Sequence, residues 1–352
     1  MGGAHAVADF RPYAFFGLLY SGASPRPARV WRVHTHKHLV KMAVATVKQA
    51  QAAPKSIAIG LTLATLGAVA FSGKAIIVKL AYRHGVDAVT LIMLRMLFAL
   101  PFFLAMSWWA SRRTPTRTPV PLTRKDWLGV VWLGFTGYYL ASFLDFAGLQ
   151  YITASLERLI LYLNPTLVLL LGFVFVGRRI ARLQALGMAI SYGGVLLVFG
   201  HEVSLQGRDV ALGAVLVLLS AASYALYLFY SGEIVQRLGS MRLVGLATSV
   251  ACVLCIAQFV ILRPLDTAFQ VAPEVIWLSV LNATLCTVVP VMVVMMAIER
   301  IGSGLAAQVG MVGPMSTMLM GVLLLGEPFT AWLVAGTVLV IAGVFVCSRA
   351  RV

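Results

Sequence analysis

From Ser56 to Ser348 the chain alternates long apolar runs with short polar or Gly/Pro-containing breaks. The runs cover approximately 57–80, 88–108, 127–149, 154–176, 181–200, 210–231, 242–262, 275–297, 301–325 and 330–348. Each holds about 20 residues, which as an α-helix rising 1.5 Å per residue crosses a hydrocarbon core of about 30 Å. The strands of a membrane barrel would read instead as segments of about ten residues with alternating polarity. The pattern therefore predicts an all-α membrane protein with ten transmembrane helices. Aromatic residues at run ends, Trp108-Trp109, Trp127 and Trp332, fit interfacial anchors.

Composition reinforces this reading. Hydrophobic residues make up 60% of the chain and charged residues 11%, against about 25% charged in soluble domains. Lipid solvates such a chain, because it asks only for apolar outer faces and an internally satisfied backbone. The net charge of +16 raises nucleic-acid binding, but the basic residues lie in short connections and an N-terminal tail, as topology signals do. Arg112, Arg113, Arg117, Arg124 and Lys125 fall between runs two and three, and Arg178, Arg179 and Arg182 between four and five. Arg237, Arg242, Arg300, Arg349 and Arg351 continue that side, whereas the other has only Arg83, Arg158, Arg208 and Arg263. The excess of positive charge places both termini in the cytoplasm, as an even helix count requires.

Residues 1–55 form a separate basic tail with eight Lys or Arg and one acid, Asp9. It reads as disordered, or as preceding the true initiator, for which Met42 is the expectation. His34, His36 and His38 in it have metal-ligand spacing, but in a tail of this composition no metal site is expected. Cys252, Cys255, Cys286 and Cys347 all lie in apolar runs and read as packing residues.

Sliding the chain on itself by 149 residues aligns two stretches without a gap. Ile152, Leu156, Pro165, Leu170, Gly172, Gly177, Gly187, Gly194 and Val195 meet Ile301, Leu305, Pro314, Leu319, Gly321, Gly326, Gly336, Gly343 and Val344. Coincident Pro and Gly carry weight because each has a backbone consequence. Five helices per half is odd, so the second half enters the membrane from the opposite side. Two inverted five-helix repeats are the plan of secondary transporters, whose halves rock about a central site; a duplication kept for packing alone is the plainer alternative. The repeats are taken as 56–200 and 201–348, with 349–352 a cytoplasmic C-terminus.

Several segments resemble a known family. They are Phe71-Ser-Gly-Lys-Ala-Ile-Ile-Val-Lys-Leu80 with Asp87-Ala-Val-Thr-Leu and Leu94-Arg-Met96, then Ala147-Gly-Leu-Gln-Tyr-Ile-Thr-Ala-Ser155 through Pro165 to Gly177. In the second half they are Ile301-Gly-Ser-Gly through Pro314 to Gly326-Glu327-Pro328. Together they resemble the EamA-type transporters of the drug/metabolite transporter superfamily, over roughly residues 56–348. The resemblance implies two EamA repeats, a bacterial inner membrane and a central cavity, without naming a substrate. One departure is Gly177-Arg178-Arg179 in the first half, where the family usually has Gly-Glu-Arg; Gly326-Glu327 keeps the pattern in the second.

Ionisable groups inside hydrocarbon mark sites by default, because unpaired they cost several kcal/mol. Lys74, Lys79, Arg95, Asp145, Glu157 and Arg158 all fall in the outer half of the first repeat. Two roles compete. The groups line an outward vestibule whose positive excess attracts an anionic or zwitterionic solute, or Asp145 pairs with Lys74 or Arg95 to fix packing while Lys79 and Arg158 snorkel to headgroups. Helical spacing puts Tyr138, Ser142 and Asp145 on one face, as it does Glu157 with Asn164, and Ser220, Tyr224, Tyr227 and Ser231. Asn282 and Gln308 are the main amides of helices eight and nine. These residues are the substrate-cavity candidates, and Pro165 and Pro314 are the helix-kink candidates.

Enzymatic readings fail on the residues. Gly67 to Gly73-Lys74 has five residues between the glycines where a phosphate loop has four, and Ala75 stands where Ser or Thr is needed. No histidine falls within the core of a predicted span, and a lone Asp145 supplies no aspartyl pair. The sequence thus predicts a transporter of a small polar or amphipathic metabolite, exporter or exchanger, with a non-transporting scaffold or partner subunit as the alternative. Its expected partners are a small-molecule substrate and the lipid bilayer, with a homodimer left open, and no nucleic acid, cofactor or metal.

Overall fold

A computed structural model describes residues 54–112, 122–177 and 179–349. Most of the basic tail, with Met42 and the three tail histidines, and the Arg113, Arg117 and Arg178 positions lie outside the described residues. Helix α1 spans Pro54–Tyr82, α2 Ala88–Arg112, α3 Arg124–Gly148, α4 Ala154–Val176, α5 Arg182–Gln206 and α6 Asp209–Leu238. Helix α7 spans Ser240–Leu262, α8 Pro273–Ile298, α9 residues 303–325 and α10 Ala331–Arg349. Gly302, with φ 79° and ψ 159°, separates α8 from α9 by a conformation that favours glycine. Helices α5 and α6 run to Gln206 and Leu238, past the 200 and 231 expected from hydropathy, because Gly207 and Gly239 at positive φ end them rather than loss of apolar character.

The ten helices form two inverted five-helix repeats, and the 149-residue offset reappears in backbone geometry. Helix α3 widens to a π-helix over Phe135–Leu140 and α8 does so over Thr284–Val288, starting 149 residues later. Gly177 (φ 67°) ends α4 and its counterpart Gly326 (φ 71°) ends α9, each in the left-handed region. A π-helical stretch releases carbonyls from the regular ladder, and buried carbonyls need donors. On α3, Ser223 Oγ donates to Thr136 O at 2.7 Å and Ser220 Oγ to Ala141 O at 2.7 Å, both from α6. On α8, Thr287 Oγ1 donates to Asn282 O of its own helix at 2.8 Å.

Helices α4 and α9 lose their regular hydrogen bonding just before their prolines, although the backbone there stays in the right-handed helical region. The break in α4 falls at Tyr162–Leu163 and that in α9 at Met311, one turn before Pro165 and Pro314. The proline ring excludes the carbonyl four residues earlier, so the disruption appears upstream and the proline sits in the first turn of the restarted helix, where its missing N–H costs nothing.

Helices α5 and α10 cross through four glycines. A Cβ on Gly187 would lie 2.6 Å from Gly343 O, and one on Gly194 would lie 2.7 Å from Gly336 O. Only glycine lets the two backbones approach this closely, the usual device for packing helices in lipid. Large apolar side chains such as Leu196, Val174, Trp277 and Leu323 remain exposed around the bundle, facing where lipid would lie. Among the described residues there is no strand.

Candidate functional site

The charged residues of the first repeat converge beneath the end of the bundle that carries the α1–α2 connection. Lys74 Nζ of α1 lies 2.5 Å from Asp145 Oδ2 of α3 and 3.1 Å from Glu157 Oε1 of α4. Arg95 of α2 does not pair with Asp145. Its Nε and Nη2 donate to Thr287 Oγ1 of α8 at 3.2 and 3.1 Å, and its guanidinium stacks 5.2 Å from the Phe146 ring centroid. Arg158 of α4 does not snorkel. Its Nη2 donates to Ser72 Oγ at 3.0 Å and its guanidinium lies 5.1 Å from the Phe71 ring centroid. Ser72 Oγ in turn donates to Gly313 O of α9 at 2.9 Å, so Arg158 is linked across the two halves.

These side chains are sealed from solvent, from 0% exposure at Glu157 to 7% at Lys74 and Arg158. They are also under-bonded. Arg95 Nη1, Asp145 Oδ1, both Glu157 oxygens, Arg158 Nε, Asn164 Oδ1 and both Asn282 side-chain atoms are buried without a hydrogen-bond partner among the described residues. Buried polar groups left open in this way cost about 1–3 kcal/mol each, more when charged. Eight such atoms in one region, from α2, α3, α4 and α8, form a concentration of unmet donors and acceptors that a polar solute or water can satisfy.

The aromatic candidates gather elsewhere. Tyr138 of α3 and Tyr227 of α6 meet edge to face at 5.1 Å with their hydroxyls 3.2 Å apart, and Tyr224 stacks on Tyr227 at 5.4 Å. They pack with Val130, Leu133, Leu243 and Ala247, on the side of the Lys74 cluster toward the α2–α3 connection. Tyr227 lies against the backbone of Gly137 inside the α3 π-helix, where a Cβ would overlap its ring. Ser142 and Asn164 are half-buried on α3 and α4. Gln308 lies on α9, and its side chain is outside the described set.

A second polar cluster closes the α1–α2 end. Glu327, in the turn after α9, accepts from Ala154 N at 2.6 Å, Ser155 N at 3.3 Å and Ser155 Oγ at 2.7 Å. A carboxylate from the second half thus caps the N-terminus of a first-half helix, where free amides and the helix dipole favour negative charge. Glu202 of α5 accepts from the Thr153 hydroxyl beside it. Lys79 does not reach for headgroups either. It donates to Leu149 O at 3.2 Å and Ile152 O at 3.0 Å, holding the carbonyls that end α3. Arg83 Nη2 does the same for Leu325 O of α9 at 2.6 Å.

The EamA-like transporter family matches this chain twice, at residues 58–200 and 211–349. The chain belongs to the EamA-like transporter family. It is 30% identical over 283 residues to the uncharacterized transporter YcbK of Bacillus subtilis, covering 78% of this chain and 87% of that protein. It is 27% identical over 113 residues to the probable transport protein YPL264C of Saccharomyces cerevisiae, covering 32% of this chain and 31% of that one. A solved crystal structure superposes on 84% of this chain and 97% of its own at a TM-score of 0.52 and 16% identity, which establishes a shared fold. The protein is thus a multi-pass membrane transporter.

For this EamA-like transporter, sequence reasoning singled out Lys74, Asp145 and Glu157, and the structure joins them. It missed Ser72, Thr287, Tyr162 and Glu202, ordinary polar residues whose importance lies in reaching another helix. Glu327 had one usable signal, the Gly-Glu dipeptide at the end of α9 whose counterpart in the first half is Gly177-Arg178.

Proposed function

We propose that this EamA-like transporter is a secondary exporter or exchanger of a small polar or amphipathic metabolite, working by alternating access of its two inverted repeats. The observation that carries this reading is the set of open polar atoms converging from α2, α3, α4 and α8 beneath a sealed end of the bundle. A scaffold has no use for unpaired guanidinium and amide groups in hydrocarbon, whereas a binding site does. Arg95 Nη1 and Arg158 Nε are open donors on cations that touch no carboxylate among the described residues. They favour a solute bearing an anionic group.

The basic residues of the α2–α3 end support a reading in which that end, with both termini, faces the cytoplasm of a bacterial inner membrane. The charged cluster then lies in the outer half, and the closure by Glu327, Lys79 and Arg83 faces outward. Rocking the halves apart would pull Glu327 from the α4 N-terminus and open the cluster to the outside.

The test is uptake and efflux of a defined mixture of labelled metabolites by the full chain in proteoliposomes. Flux of at least one solute above empty vesicles, lost in Arg95→Met, is the expected result. Equal retention of every solute by protein-containing and empty vesicles would overturn the reading. Impermeant thiol labelling checks the orientation, with Asp266→Cys reached from outside and Arg117→Cys from the cytoplasm.

A further inference from the structure

The Lys74 cluster sets two carboxyl groups against one ammonium. Asp145 and Glu157 share the single ammonium of Lys74, which sits closer to Asp145 (2.5 Å) than to Glu157 (3.1 Å). No hydrogen bond among the described residues joins the two carboxyl groups, so each depends on that ammonium. Two carboxylates have no donor to offer, and neither Asp145 Oδ1 nor either Glu157 oxygen finds one elsewhere among the described residues. Two like charges that lean on one cation in this way do not both persist, and the carboxyl farther from the cation keeps its proton. Burial points the same way, since Glu157 is fully enclosed and an uncompensated carboxylate in a dry interior costs several kcal/mol.

The surroundings are accounted for on every side. Lys74 of α1, Asp145 of α3 and Arg158 of its own helix are the charges that act on Glu157. Arg158 is held by Ser72 and the Phe71 ring, and Arg95 of α2 by Thr287, so neither guanidinium replaces the missing donor. Helices α6 and α10 meet this part of α4 through Val210, Val217 and Leu333. Glu202 of α5 and Glu327 after α9 are bound one turn away at Thr153, Ala154 and Ser155.

We propose that Asp145, Lys74 and Glu157 form a proton-binding site, with the proton resident on Glu157 while the cluster is sealed. Opening the α1–α2 end hydrates the cluster and releases the proton, making it the coupling ion of the transport cycle. This use of the proton rests on the transporter reading; the site itself does not.

Infrared spectroscopy of the full chain in lipid vesicles reads the proton directly, through the carbonyl band of a protonated carboxyl that shifts in deuterated water. The wild type is expected to show one such band that is lost in Glu157→Gln. Asp145→Asn gives an independent reading should that variant fail to fold. With Asp145 uncharged, Lys74 pairs with Glu157 alone, Glu157 ionises, and the band disappears although Glu157 is still present. A band unchanged in both variants, or absent from the wild type, would overturn the proton site. Solute flux without the band would leave the transporter reading standing and remove this one, and the band without flux of any solute would do the reverse.

Discussion

Ser191 and Val340 are repeat counterparts, 149 residues apart, and they touch: Ser191 Oγ donates to Val340 O at 3.4 Å. A residue can meet its own counterpart only near the axis that relates the two halves. The pseudo-two-fold therefore passes between α5 and α10. The glycines obey it, because Gly187 meets Gly343 while their counterparts Gly336 and Gly194 meet each other.

The α5–α10 crossing should accordingly be intolerant of bulk. Gly187→Val or Gly194→Val drives a side chain into a facing backbone carbonyl at 2.6 or 2.7 Å, and backbone does not yield as a flexible side chain would. Overpacking of this kind costs about 1–3 kcal/mol. Thermal denaturation in detergent should register the loss for each. Val at Gly193, which has open space around it, should leave the transition unchanged.

Lys74 should be the least replaceable of the buried charges. Lys74→Met removes the only cation among the described residues that touches two carboxylates, and breaking a buried pair costs about 3–5 kcal/mol. Asp145→Asn should be milder, because Glu157 remains for Lys74. Arg95 and Asp145 bond different partners, so neither substitution strands a hydrogen-bond partner of the other, and Arg95→Met with Asp145→Asn should show only weak coupling in stability measurements. Strong mutual rescue by that pair would contradict the contacts of Arg95 with Thr287.

How far the sequence carried depends on what kind of feature is asked for. Helices were legible because lipid imposes an apolar run on each, and the offset because glycine and proline mark backbone geometry directly. The π-helices at 135–140 and 284–288 left no mark in hydropathy, since changing which amide meets which carbonyl alters no residue's polarity. Their trace is indirect, in Ser220 and Ser223 spaced to serve carbonyls on a neighbouring helix. Lys79 and Arg158 were misplaced for a related reason. A long cation near a helix end reads as snorkelling, and only the fold shows the carbonyls and hydroxyl it reaches instead.

Asp87 ties acid stability to the α1–α2 end. It caps α2, accepting from Val89 N at 3.1 Å and from the Thr90 hydroxyl at 2.5 Å, and it pairs with Arg263 at 3.2 Å. Partial burial raises its pKa, but Thr90 and Arg263 outweigh this and hold it below the usual 3.8. A carboxyl whose folded value is depressed stabilises fully above its unfolded value and loses that contribution as pH falls through the folded one. Asp87→Asn should therefore lower stability at neutral pH and flatten its pH dependence below about 4. The effect should be small, because both partners are partly exposed and water and salt screen them. Thermal denaturation across that range checks it.

The two helix breaks are coupled, and this recasts the role of the prolines. Pro314 has no N–H, so Gly310 O, four residues earlier, loses its ladder donor. Tyr162 fills the gap: its hydroxyl donates to Gly310 O at 2.7 Å. Tyr162 itself lies in the break that Pro165 imposes on α4, so each proline prepares one side of a single contact between the halves. The counterpart of Tyr162 is Met311, which has no hydroxyl to return the favour to α4, so the joint exists on one side only. Tyr162→Phe should cost about 0.5–1.5 kcal/mol, the net worth of a hydrogen bond. In Pro314→Ala the restored Ala N–H takes Gly310 O, so adding Tyr162→Phe to it should cost clearly less than in the wild type. Replacing both prolines by alanine should also straighten α4 and α9 and slow interchange between inward- and outward-open states, with little change in solute affinity. Distances between spin labels on α4 and α9, together with flux in proteoliposomes, would test this. Unaltered distances and a normal rate in the double variant would show that the breaks are packing features and not the joint about which the halves move.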